Sequence, residues 1–156
     1  MATEVQQFLE AVLPRQVDAE RAIHAGDVEP RLAMWSRQDP VTVLGARHSA
    51  SGWAEVEPMF RTVASWFSDP RDYRFELVAA GVSGDLAYTA GYEHIQTNVE
   101  GETRAFTLRA THVYRREEGE WRIVHRHADA PPAEDRLLPV AASWTPTSQP
   151  APSRAR

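Results

Sequence analysis

Residues Thr111 to Asp129 read THVYRREEGEWRIVHRHAD. Polar and apolar side chains alternate on both sides of the run Glu117-Glu118-Gly119. Period-two alternation around a short charged turn with glycine marks an antiparallel hairpin. Upstream the same rhythm continues. Thr103 to Arg116 is one long strand, Glu100-Gly101 a turn, and Leu86 to Thr97 another strand. Gly81 to Asp85 is a further turn. Before it, Tyr73, Phe75, Leu77 and Ala79 alternate with Arg74 and Glu76. Long strands joined by tight turns predict an antiparallel meander.

The N-terminal half has the other period. Thr3 and Gln6 fit a capping box, in which each side chain satisfies an orphan backbone donor. Val5, Phe8, Leu9, Val12 and Leu13 follow helical spacing, and Val17, Ala22 and Ile23 continue the stripe to Gly26. Pro14 is expected to kink or interrupt this helix. A short second helix follows, with Asp27 as its cap, Pro30 in its first turn, and Leu32, Met34 and Trp35 as its apolar surface. Asp39-Pro40 ends it. Val41 to Leu44 is a short strand and Gly45 to Ser51 a loop. Trp53, Val56, Phe60, Val63, Ala64 and Phe67 lie on one side of a third helix. Helices first and strands afterwards predict an α+β fold, with about three helices against one face of a curved, mainly antiparallel sheet.

Composition narrows the function. The 156 residues, 42% hydrophobic and 25% charged, suit one packed domain. A net charge of -5 argues against a phosphate-backbone binder. With no cysteine, disulfides and thiolate chemistry are excluded. No apolar run reaches the ~18 residues of a membrane span. The N-terminal acids do not suit a secretion signal, so the cytoplasm is the expected location. Six of the eleven prolines fall within residues 131–156. The folded domain is therefore expected over 1–130, with a Pro/Ala/Ser-rich, disordered tail after it. Docking of Leu137, Leu138, Val140 and Trp144 onto the domain is the alternative.

This order of elements, with the segments GDLAYTAGYEH, LRATHVYRREEGEW and WRIVHRHAD, resembles the nuclear transport factor 2-like superfamily, and within it the SnoaL-like branch. The final strand also resembles the association domain of calcium/calmodulin-dependent kinase. The resemblance implies a cone-shaped fold with a deep pocket between helices and concave sheet, and homodimers through the convex sheet face. The superfamily it points to includes ketosteroid isomerases, polyketide cyclases, dehydratases and non-catalytic modules, and fold does not choose among them.

Strand parity nominates the pocket residues. Phe106, Leu108, Ala110, His112 and Tyr114 share a mostly apolar face, which places His112 as a candidate acid/base. On the preceding strand, Glu93 shares a face with Ala87, Thr89, Gly91 and Ile95. A carboxyl in that setting is a candidate base; pairing with Arg109 is the ordinary alternative.

The last strand reads two ways. Trp121, Ile123, His125, His127 and Asp129 share one parity, beginning apolar and ending at a pocket mouth. Alignment with the kinase domain favours the opposite set. A β-bulge would reconcile the two. Three ligand types at alternate positions of a strand span ~13 Å, too far for one ion, so no metal is expected.

The resulting candidates are Glu93, His112 and His127 for catalysis, with Trp35, Trp53, Phe60, Arg109, His125 and Asp129 for substrate binding. Two functions stay open. One is a cofactor-independent acid-base enzyme of isomerase, cyclase or dehydratase type, acting on a mostly apolar carbonyl compound. The other is a non-catalytic ligand-binding or dimerisation module. Neither involves nucleic acid or membrane.

Overall fold

A computed structural model of the protein describes residues 1–137. Residues 138–156, most of the tail expected to be disordered, and with them the alternative docking of Leu138, Val140 and Trp144, lie outside the described residues. Three helices, α1 (Glu4–His24), α2 (Glu29–Met34) and α3 (Trp53–Trp66), pack on a single sheet. Its strands are β1 (Thr42–Leu44), β2 (Ser49–Ser51), β3 (Phe67–Ser83), β4 (Leu86–Val99), β5 (Glu102–Glu117) and β6 (Glu120–Asp129). Their order is β2-β1-β6-β5-β4-β3. All neighbours run antiparallel except β1 and β6. This is the α+β architecture that the change of period indicates.

Three local expectations need correction. First, α1 runs through Pro14 as one element. Proline at position 14 removes the bond that the Glu10 carbonyl would accept. Both residues are exposed, so the chain at this turn lies where solvent can replace the missing donor. Second, the expected loop at residues 45–51 contains β2, which pairs Ser49, Ala50 and Ser51 with Leu44, Val43 and Thr42. Its three residues carry too little pattern for periodicity to register. Third, β3 begins at Phe67 rather than near Tyr73, with an irregular register between Ser68 and Asp72 that accommodates Pro70.

The capping box forms as the spacing requires. Thr3 Oγ1 accepts from the Gln6 backbone at 3.1 Å, and Gln6 Oε1 accepts from the Thr3 backbone at 2.8 Å. Asp39 closes the first turn of α3 by accepting from the Trp53 backbone N–H at 2.8 Å.

The core lies between the helices and the concave sheet face. Phe8 meets Tyr114 and Trp121 edge-on, with centroids 5.1 and 5.2 Å away. Ile23, Val41, Val43, Val56 and Phe60 are fully buried around them.

One irregularity decides what the last strand presents to that core. Between β5 and β6 the register slips: Val113 pairs with His125, but Tyr114 pairs with Ile123. Val124 is the extra residue. Before it, Ile123 faces the helices; after it, Arg126 and Ala128 do, while His127 is exposed. The bulge reconciles the two readings of β6 by giving each half of the strand its own parity.

Candidate functional site

The interior between the helices and the concave sheet face holds many polar groups. Gln16, Glu20, His24, Arg31, Tyr73, Thr89, Glu93, His112, Tyr114 and Arg126 are all buried. Burying charge is costly unless it is paired and hydrogen-bonded, and here two ion pairs meet that condition.

The first pair is at the centre of the sheet. Arg126 donates from Nη2 to Glu93 Oε1 at 2.6 Å and from Nη1 to Glu93 Oε2 at 3.1 Å. The fork matches the carboxylate geometry. Tyr73 donates its hydroxyl to Glu93 Oε2 at 2.7 Å, Gln16 donates to the Tyr73 oxygen at 3.2 Å, and Tyr114 donates to Gln16 Oε1 at 3.3 Å. The second pair joins the helices: Arg31 of α2 donates to both carboxylate oxygens of Glu20 on α1.

Arg126 also fixes His112. Its Nη1 lies 3.0 Å from His112 Nε2. Arginine can only donate, so Nε2 accepts, and the ring proton of the neutral imidazole sits on Nδ1. That Nδ1 has no partner. Neither does Thr89 Oγ1, and Thr89 stands directly opposite His112 across β4 and β5. His24 Nδ1 on α1 is the third such atom. Buried polar atoms ordinarily find a hydrogen-bond partner, and these three among the described residues need an explanation.

The protonation states follow from the surroundings. Burial raises the Glu93 carboxyl, but the charge and hydrogen bonds of Arg126, with His112 and Tyr73, outweigh it and hold the group at about 2. Burial and then Arg126 depress His112 to about 3. Burial also lowers His24, against the opposing charge of Glu20. Burial pushes the Tyr73 hydroxyl up, and Glu93 pushes it further. At neutral pH the interior thus holds ionised Glu93 and Arg126, with neutral His112 and His24.

The nominated residues fall into three places. Glu93 and His112 share this interior through Arg126. Trp35 and Phe60 are buried beside it, edge to face at 4.9 Å, with the Arg31 guanidinium 5.1 Å above the Phe60 ring. Trp53 stands outside this layer, half-buried under Arg37. His125, His127, Asp129 and Arg109 lie on the convex face. There His125 contacts Thr42 Oγ1 at 2.6 Å and His127 contacts Asp129 at 2.6 Å. The expectation that His125, His127 and Asp129 reach the pocket mouth is corrected by the bulge at Val124. Glu93 pairs with Arg126, not with Arg109. Among the described residues, no three His, Asp or Glu side chains converge as a metal site.

Glu20, His24, Arg31, Gln16 and Tyr73 escaped sequence reading because each sits within an otherwise ordinary amphipathic pattern. The available signal was spacing: Gln16, Glu20 and His24 recur every fourth residue and form one helical stripe.

Two surface grooves flank the core. One, of about 430 Å³, includes Trp35, Arg37, Glu117 and Arg122; the other, of about 460 Å³, includes His48, Ala54, Met59 and Thr62. Neither is lined by Glu93 or His112. From the first groove, contacts lead inward through Trp35 to Phe60 and Arg31.

The family model of the SnoaL-like domain matches residues 17–133. The chain belongs to the SnoaL-like domain family. Its fold is that of the wider nuclear transport factor 2-like superfamily, as solved structures show. A candidate dehydratase of that family from Streptomyces avermitilis is 23% identical, with a TM-score of 0.66 over 81% of this chain and 98% of its own. A candidate calcium/calmodulin-dependent protein kinase type II association domain from Thiobacillus denitrificans is 24% identical, with a TM-score of 0.63 over 76% and 93%. A ketosteroid isomerase-like protein from Erwinia carotovora atroseptica is 15% identical, with a TM-score of 0.64 over 78% and 95%. At these identities the likeness speaks for fold alone. Among curated proteins, none matches the chain. No helix among the described residues is long and apolar enough to cross a membrane.

Proposed function

We propose that this SnoaL-like protein is a small-molecule-binding domain whose interior receives a compact, hydrogen-bonding ligand. The observation that carries this reading is the set of unpartnered buried atoms, His112 Nδ1, Thr89 Oγ1 and His24 Nδ1. A ligand carbonyl accepting from His112 Nδ1–H and the Thr89 hydroxyl would satisfy two of them. The polar lining favours a smaller and more polar compound than the apolar carbonyl substrate that strand parity suggested.

A second reading, cofactor-independent acid-base catalysis of isomerase, cyclase or dehydratase type, draws on His112. A neutral imidazole of fixed tautomer, held by Arg126, is suited to polarise a carbonyl. Glu93 is its weak point. A carboxylate held at about 2 is a poor base at neutral pH.

The test is a thermal-shift panel of small ketones, amides and alcohols, followed by proton-exchange NMR on any ligand found. Binding that is lost in His112→Ala and Thr89→Val supports the site. Equal binding by wild type and both variants would overturn it. Exchange at the carbon next to the carbonyl, abolished in His112→Ala, would promote the catalytic reading; a bound but unexchanged ligand would retain the binding one.

We also infer a homodimer through the convex face. Leu44, Leu86 and Tyr88 are exposed there, as part of a face that also includes Val113 and His125. Exposed apolar patches of this kind mark interaction surfaces. Light scattering should give twice the chain mass for wild type and the single mass for a Leu86→Glu, Tyr88→Glu variant.

A further inference from the structure

The ligand proposed above has a charge that the interior itself can specify, and this step rests on that reading. The formal charges of the chamber are closed in pairs, Glu20 with Arg31 and Glu93 with Arg126. All four act electrostatically on His24, so they form one buried polar cluster. The atoms left without partners belong to a hydroxyl and two histidine rings, none of them a free cation.

An anion entering this space would find no vacant positive charge and would lie close to a fixed carboxylate. The Arg126 Nη1 that touches His112 also touches Glu93, so a group received by the His112 ring is one side chain away from that negative charge. We propose that Glu93 is a specificity-determining residue: by occupying the Arg126 fork, it restricts the chamber to uncharged ligands and excludes carboxylates.

The proposal reverses on substitution. In Glu93→Gln the side chain keeps its shape but loses its charge. Its amide can accept from Arg126 once and presents donors at the other position, which leaves the guanidinium with a free hydrogen-bonding edge. With that charge gone, a small carboxylate received beside His112 meets a guanidinium whose charge is no longer matched.

The probes are formamide and sodium formate, an uncharged and a charged molecule of nearly equal shape, with sodium chloride as the ionic control. The readouts on the full chain are thermal shift and the guanidinium NMR resonance of Arg126. In wild type, formamide should stabilise and formate should do no more than chloride. In Glu93→Gln, formate should bind at least about tenfold more tightly than in wild type, because a local like charge has been removed, and should move the Arg126 resonance. The double variant Glu93→Gln, Arg126→Gln should lose that response.

Stronger stabilisation of wild type by formate than by formamide would overturn the proposal. So would a Glu93→Gln chain that responds to formate only as it does to chloride. If the variant does not fold in chloride, refolding in formate replaces the titration: recovery of a cooperative transition supports the proposal and no recovery overturns it. Silence of formamide in wild type counts against the chamber reading, while the Glu93→Gln response to formate still decides the role of Glu93.

Discussion

The buried imidazole of His112 should make this domain acid-sensitive well above the range in which carboxylates titrate. Its pKa is depressed to about 3 by burial and Arg126, whereas in the unfolded chain it is about 6.5. Between those values the unfolded state binds a proton that the folded state does not. The stabilisation is therefore complete above the unfolded value and is lost as pH falls toward 3. From about pH 7.5 to about pH 5 the loss from this one group integrates to about 2 kcal/mol. Glu93, held at about 2, adds a loss of the same sign only below its unfolded value of about 4.5, so the upper window belongs to histidine. His24 and His125, both lowered first by burial, contribute with the same sign and are common to wild type and variant. The assay is urea denaturation at a series of pH values, for wild type and His112→Gln. The variant starts less stable but should lose about 2 kcal/mol less over the same interval. Parallel curves would refute the argument, because they would mean that His112 takes up its proton without unfolding the protein.

Three further outcomes follow from the packing. Arg126→Met leaves Glu93 charged and buried, and should destabilise by about 3–5 kcal/mol, whereas Glu93→Leu combined with Arg126→Met should recover most of that in the same denaturation assay. Deleting Val124 removes the extra residue but keeps Ile123 opposite Tyr114, His125 opposite Val113 and Arg126 opposite His112, so near-ultraviolet circular dichroism should retain a cooperative tertiary signal, and its loss would mean that the bulge itself is needed to shape the strand. Asp39→Ala removes the acceptor for the Trp53 backbone and should cost about 0.5–2 kcal/mol, read as a lower midpoint in urea denaturation.

The fold was legible because each half of the chain keeps one period for long enough to be read. The capping box at Thr3, the stripe from Phe8 to Ile23 and the alternation from Leu86 to Ala128 each state their geometry locally. Glu93 and His112 were visible for the same reason, as ionisable groups on a smooth parity. What bound them together was not visible. Arg126 reaches the interior only because Val124 shifts the second half of β6, and a bulge is set by cross-strand pairing, which alternation along one strand does not encode. Glu20 and Arg31 were hidden differently: each is an ordinary polar residue of a helix until the two helices meet.

The contacts of Arg126, Glu93, Tyr73, Gln16, Tyr114 and His112 join β3, β4, β5 and β6 to α1 in one continuous set. Such a set breaks more readily as a unit than bond by bond, because each lost partner leaves another buried group unsatisfied. For a molecule approaching from solvent, this turns a question of affinity into one of timing. On the ligand-binding reading proposed above, this set has to part before a ligand enters, and entry is then governed by how often α1 separates from the sheet. At high ligand concentration the observed association rate should level off at that opening frequency. A compound that fits well and arrives often would still have to wait for the protein.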